Sequence, residues 1–321
     1  MKRKLLLFLI TFALLSFSGK EKFYQGFNLK SFEKSLSLIP EGSFTYGVND
    51  QDVPYLNQPK SRTISLDTFY IYKHEVSNGE YLEFINELKK KDTSLFRRML
   101  PDTLVWREKT MYMEPYVDYY FRHPVYSNYP VVGVTYEQAE YYCKWLTEKY
   151  MNEKKRKFKN IEFKLPSIEQ WTFAAKGKGR LELSRFPWEG FSMQNKKGEW
   201  MANFTVIPQN GIGWSIFPVK NNYGKIEDKK ILIATNGYRS GGYLDAETNI
   251  TAPVISYYPN GYGIYNMAGN VEEYVKEKGT TKGGSWKDTG YYLQNSVEEQ
   301  YDSTNYTSAE RGFRFIMEIK K

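Results

Sequence analysis

The stretch Pro259-Asn260-Gly261-Tyr262-Gly263-Ile264-Tyr265-Asn266-Met267-Ala268-Gly269-Asn270-Val271, with Gly283-Gly284-Ser285-Trp286 shortly after it, decides how this chain folds. Glycine and asparagine interrupt the aromatic and aliphatic residues too often for the 3.6 period of a helix or the 2.0 period of a strand. Its many apolar residues still have to be buried, so the segment reads as a long ordered loop. Such a loop satisfies its backbone with internal hydrogen bonds or with an ion. The same mixture of Gly, Pro, Asn and aromatic residues runs through the chain after Lys176 and predicts short strands joined by long loops.

Upstream the pattern is different. Ser77 with Glu80, Thr135 with Gln138 and Ser167 with Gln170 each place a hydroxyl and an acid or amide three residues apart, the signature of a capped helix start. Tyr81, Phe84, Ile85 and Leu88 follow the first cap, and Ala139, Tyr142, Cys143 and Leu146 follow the second, both at the spacing of a one-sided core helix. Cys143 is therefore expected to pack as a small hydrophobe.

The 321 residues include 28 Tyr and 20 Phe, with 41% hydrophobic and 26% charged residues, which is ample for a packed core and excludes intrinsic disorder. One cysteine excludes a disulfide framework and any multi-cysteine metal site. Only two histidines, His74 and His123, are present for acid–base chemistry or nitrogen ligation.

Lys2-Arg3-Lys4 precedes the apolar run from Leu5 to Phe17, and Ser16 and Ser18 sit at the spacing of a cleavage site, so residues 1–18 read as a secretory signal peptide. Its removal takes away three positive charges, lowering the formal net charge from +8 to +5. The remaining basic cluster, Lys154 to Lys157 with Lys159, lies between a helical and a strand pattern without a nucleic-acid motif, and reads as a solvated turn. Residues 19–37 read as a flexible leader, and 38–321 as one domain with no internal repeat or linker.

Eight segments occur in a fixed order: Ile39 to Phe44, Glu75 to Tyr81, Pro130 to Val134, Leu165 to Trp171, Phe186 to Trp188, Pro259 to Val271, Gly283 to Trp286 and Arg311 to Arg314. This series resembles the formylglycine-generating-enzyme (sulfatase-modifying factor) family across nearly the whole mature chain. The resemblance implies an α/β, single-domain, C-type-lectin-like sulfatase-modifying-factor fold with little regular secondary structure.

In the active enzymes of that family a cysteine pair after Gly-Gly-Ser-aromatic binds copper and oxidises a substrate cysteine, since a soft thiolate is needed to hold Cu(I). The same spacing lands here on Asp288 and Leu293, which implies no catalytic residues and no oxidase activity. An iron branch of the family uses two histidines and a carboxylate. His74 and His123 lack its spacing and read as surface or packing residues.

Asn49 to Tyr55, Leu100 to Trp106, Glu114-Pro115-Tyr116, Tyr120 to Pro124 and Gly284 to Asp288 resemble the gliding-motility and type IX secretion lipoproteins K and J, family members that build rather than catalyse. That resemblance implies an exported, periplasmic scaffold with protein partners in an envelope complex. It also implies peripheral association with the outer membrane, oligomerisation, and no nucleic-acid partner. No cysteine stands immediately after the signal to carry a lipid.

The family further implies structural Ca²⁺ held by Asn266, Gly269, Val271 and Glu273, the Gly and Val through backbone carbonyls, which suits a cation that takes six to eight oxygens. A second ion site would use Asn203 and Phe204, with Asp245 or Glu247 replacing an aspartate that aligns with Ala246. The alternative function is glycan or cell-wall binding through aromatic loops around Trp188, Trp214 and Tyr238.

Overall fold

A computed structural model describes residues 24, 26–47, 61–107, 113–178, 185–206, 250–302 and 307–320, together with the backbone of three strands between 212 and 240. The signal-peptide assignment, and Tyr238, Asp245, Ala246 and Glu247, lie outside the described residues.

The elements in order are α1 (Leu29–Lys34), β1 (Leu36–Ile39), β2 (Gly42–Tyr46), β3 (Arg62–Leu66), β4 (Phe69–Tyr72), α2 (Asn78–Lys91), α3 (Thr93–Met99) and α4 (Glu114–Tyr119). They continue with α5 (Tyr136–Asn152), β5 (Ile161–Lys164), α6 (Ile168–Lys176), β6 (Thr205–Val206), β7 (Ile212–Lys220), β8 (Ile226–Ala234) and β9 (Arg239–Ser240). Five short strands complete the chain: β10 (Glu272–Tyr274), β11 (Thr280–Lys282), β12 (Glu298–Gln300), β13 (Arg311–Gly312) and β14 (Ile316–Ile319). No helix follows Lys176 among the described residues.

The central sheet has the order β1-β4-β14-β5, all antiparallel. Its alternation separates two hydrophobic layers. Tyr72, Phe163, Phe315 and Met317 face a core shared with α2 and α5, while Phe69, Ile71 and Ile316 face one shared with α6. The intervening Arg314 lies between Phe313 and Phe315 of the first layer and is completely buried. A second sheet, β12-β11-β10-β13, is antiparallel except for the parallel pairing of β10 with β13.

All three capping boxes form, each with the side chain accepting from the third helical amide and the acid or amide returning to the cap amide. The predicted core stripes of α2 and α5 are buried, Cys143 included at 2% exposure. The basic turn after α5 is exposed at Lys154, Lys155, Lys157 and Lys159.

One boundary needs correction. The leader reading of residues 19–37 fails over its second half, because Asn28 caps α1 and Leu36 opens an edge strand of the central sheet. Phe32 packs against Tyr72, Tyr150, Phe163 and Phe315, with ring centroids 5.6 to 6.1 Å apart. A single buried aromatic on a six-residue helix gives too little periodicity to register in a polar stretch.

Candidate functional site

The glycine- and asparagine-rich loop before β10 turns through left-handed backbone at Asn266, Gly269 and Asn270, with φ of 51°, 71° and 68°. This brings a dense set of polar side chains inside the molecule. Asn270 is fully buried and saturated. Its Nδ2 donates to Glu75 Oε1 at 2.8 Å and to the Ala252 carbonyl at 3.2 Å, and its Oδ1 accepts from the Ala252 amide at 2.6 Å and Asn203 Nδ2 at 3.3 Å. Glu75 also accepts from Asn266 Nδ2 at 3.1 Å. Burial pushes the Glu75 carboxyl up to about 8, with Arg314 opposing the shift.

Arg314 joins this loop to the central sheet. Its Nε reaches Glu273 Oε2 at 2.6 Å, and its Nη2 reaches Glu273 Oε1 at 2.5 Å and the carbonyls of Tyr265 and Asn266 at 3.0 and 3.2 Å. Trp171 Nε1 donates to Glu273 Oε2 at 2.8 Å. Of the four residues expected to hold Ca²⁺, Asn266 and Glu273 are thus brought to a common partner, and Gly269 and Val271 lie in the turn between them.

The donor set fits a hard cation at one atom and strains at another. Asn266 Oδ1 is a buried acceptor with no hydrogen-bond partner, as an oxygen ligand would be without its ion. Glu273 already gives both oxygens to Arg314, so a cation there would share the carboxylate with a guanidinium. Asn203 of the second expected ion site packs against the same loop, its carbonyl accepting from the Asn270 amide at 2.8 Å.

Asp288 and Leu293, the positions that the sequence resemblance sets against a cysteine pair, hold other chemistry. Asp288 Oδ2 accepts from the Ser285 amide at 2.7 Å and from Ser285 Oγ at 2.5 Å, closing the turn after Gly-Gly-Ser-Trp. Leu293 is fully buried in an apolar cluster with Phe186, Ala202, Phe204 and Ala268. Cys143 is remote from this chemistry by its place on the core stripe of α5, and burial raises its thiol well out of the thiolate range. Among the described residues no three His, Cys, Asp or Glu side chains are grouped to hold a metal. His74 is buried with Nδ1 2.9 Å from the Glu75 carbonyl, and His123 is an exposed cap whose Nδ1 accepts from the Val125 amide at 3.3 Å. Trp188 stacks on Phe186 at 5.0 Å and spends its indole N–H on the Ser192 carbonyl.

Two features escape a linear reading. Lys282 is completely buried, donates to the carbonyls of Asn295 and Val297 at 2.8 and 2.7 Å, and lies over the Trp171 ring; burial pulls its ammonium down to about 8. Beside the Asp288 turn, Glu299 has a buried Oε1 with no partner. Burial, reinforced by Asp288, Glu272 and Glu310, pushes its carboxyl up to about 9.

This has a consequence in acid and base. An unfolded glutamate titrates near ~4.3, so between that pH and about 9 the folded state holds a proton that the unfolded state has lost. Stability conferred on the neutral carboxyl is fully present at low pH and declines as pH rises through this window. Glu299→Gln is expected to raise the thermal midpoint above that of the parent at pH 8 and to match it near pH 4.5. Equal midpoints at both pH values would remove the protonated carboxyl.

Residues 28–319 match the model of the sulfatase-modifying factor enzyme 1-like domain. The formylglycine-generating enzyme of Mus musculus is 26% identical over 85% of this chain. The inactive C-alpha-formylglycine-generating enzyme 2 of Bos taurus is 23% identical over 78% of this chain and 76% of its own length. The chain spans about three fifths of the length of the mammalian enzymes it matches, 62% for the mouse protein and 56% for the bovine formylglycine-generating enzyme. Among solved structures, PvdO from Pseudomonas aeruginosa superposes with a TM-score of 0.55 at 17% identity, covering 88% of this chain and 94% of its own. At that identity the likeness concerns the fold.

Proposed function

The chain belongs to the sulfatase-modifying factor enzyme 1-like domain family, and from that membership we propose that it is a non-catalytic member acting as a scaffold or partner-binding component. The observation that carries this reading is the chemistry at Asp288 and Leu293. Where the resemblance expects two thiolates, one position is a carboxyl consumed by its own turn and the other is an apolar side chain in the core. Neither supplies a soft ligand for copper. An inactive relative within the family is consistent with such a loss.

The finer reading places the protein in an exported envelope assembly of the type IX secretion or gliding-motility kind. It is supported by the Gly284 to Asp288 and Tyr120 to Pro124 segments and by the N-terminal apolar run. A structural Ca²⁺ belongs to the same proposal, held by Asn266 Oδ1, the carbonyls of Gly269 and Val271, and Glu273. The unpartnered Asn266 Oδ1 supports it.

One preparation of the full chain from its native membrane fraction tests these points. It is expected to carry envelope partners, to form no aldehyde on a cysteine peptide with copper and oxygen, and to show a thermal midpoint that rises with Ca²⁺ and falls with a chelator. Recovery of the protein alone sinks the scaffold assignment, turnover above a protein-free control sinks the non-catalytic one, and a midpoint indifferent to both additions sinks the ion.

A further inference from the structure

A cavity of about 500 Å³ lies along α2, on the side away from its core stripe, between Tyr24 and Gly26 on one flank and the segment Phe121 to Ser127 on the other, and the flanks meet at one end where the Tyr24 amide donates to Ser127 Oγ at 3.2 Å. The wall provided by α2 is a row at four-residue spacing, Asn78, Leu82, Asn86 and Lys90. Twelve residues of helix make that row about 18 Å long, so the cavity is a groove for an extended ligand rather than a cup for a compact one. Gly79 permits the groove's flank to form. A Cβ there would lie 2.4 Å from Tyr24 Cβ.

The groups along this row differ in whether their bonding is complete. Glu83 and Glu87 line the groove, but both are spent. Glu83 accepts from Tyr24 Oη at 2.5 Å and the Phe27 amide at 2.8 Å and pairs with Lys149 at 2.7 Å, while Glu87 pairs with Lys149 and accepts from Trp145 Nε1 at 3.0 Å. Asn86 and the two cations keep bonding capacity. Asn86 and Lys90 make no hydrogen bond or ion pair among the described residues, and the exposed Arg122 is held by Nη1 contacts to the carbonyls of Val117 and Asp118, with Asp118 Oδ1 at 3.9 Å. The Val125 amide occupies His123 Nδ1, which leaves Nε2 to carry the ring N–H. Asn78, 1% exposed, donates to the carbonyls of Tyr120 and Tyr126 at 3.0 Å, and its Oδ1 accepts nothing.

The groove therefore offers positive charge near both ends, Arg122 at one and Lys90 at the other, with the Nε2–H of His123 beside Arg122 and the unpaired amide of Asn86 between them. No lining residue belongs to a strand, so no sheet edge is available to pair with the main chain of a peptide. A chain of hydroxylated units supplies donors and acceptors along its length, as the amide of Asn86 requires, and its acid groups answer the cations. We propose that this groove binds an acidic oligosaccharide of about three units. The inference goes beyond the scaffold assignment and does not depend on it.

Titration calorimetry of the full chain with trigalacturonate, neutral maltotriose and triglutamate tests the assignment. Trigalacturonate is expected to bind at least tenfold more tightly than either of the others. Lys90→Ala and Arg122→Ala are each expected to weaken it at least threefold at an unchanged thermal midpoint, since both side chains are exposed. Equal affinity for maltotriose removes the charge argument, tighter binding of triglutamate reassigns the groove to acidic peptides, and no binding of trigalacturonate at millimolar concentration overturns the proposal. Affinity that survives both substitutions overturns it as well.

Discussion

Arg314→Met is expected to destabilise the protein by about 3–5 kcal/mol, the range for breaking a buried ion pair by removing one partner. The guanidinium is completely buried and holds both oxygens of Glu273 as well as the carbonyls of Tyr265 and Asn266. Methionine fills much of the volume but leaves Glu273 in the interior without its guanidinium. Pairing the substitution with Glu273→Gln separates the cost of the stranded charge from the value of the contact. The double variant is expected to lose less than the sum of the two single losses. Chemical denaturation of the four proteins gives both numbers, and a single-variant loss below about 1 kcal/mol would mean that Arg314 does not hold the loop to the sheet.

Gly269→Ala is expected to cost about 3 kcal/mol, combining left-handed backbone with overpacking. The φ of 71° is one contribution, and the second is direct contact, because a Cβ at this position would lie 2.2 Å from the Asn203 carbonyl oxygen. That oxygen accepts the Asn270 amide, so it cannot withdraw without opening the asparagine that bridges Glu75 and Ala252. Gly263→Ala provides the comparison. Its φ is 74° and nothing stands within 4 Å of the added carbon, so only the backbone cost of about 1 kcal/mol remains. Equal losses at the two glycines in a denaturant titration would show that the close approach to Asn203 is relieved cheaply.

Local chemistry made much of this architecture legible in the amino-acid order. A capping box is written within four residues, and the boxes at Ser77, Thr135 and Ser167 formed as the spacing required. The stripes on α2 and α5 were readable for the same reason, as was the lack of long helices after Lys176 among the described residues. What was not legible is what long-range pairing decides. Glu75 looks like an ordinary residue ahead of a helix cap, and its burial follows from Asn266 and Asn270, nearly two hundred residues away. Lys282 follows two threonines in a short polar strand that reads as a surface one, yet packing of the following loop encloses it. The candidate ion loop was visible as a sequence of oxygens, but the competition between a cation and Arg314 for Glu273 was not. The groove along α2 was hidden too, because the row from Asn78 to Lys90 is the polar side of an amphipathic helix and resembles any solvated face until Tyr24 and Phe121 flank it.

The strand order of the central sheet bears on how the chain reaches this state. β14 lies between β4 and β5, so residues near 316 separate strands that end near 72 and begin near 161. During synthesis the helices can form from local signals as they emerge, but the sheet has a gap at its middle until residues 316–319 have been made. Two unpaired edges then wait beside two unfinished hydrophobic layers, and closing loops of this length delays the rewarding contacts. A ribosome stall or truncation before Ile316 would release a chain whose helices are formed and whose core is split, the kind of species that aggregates or is captured by chaperones.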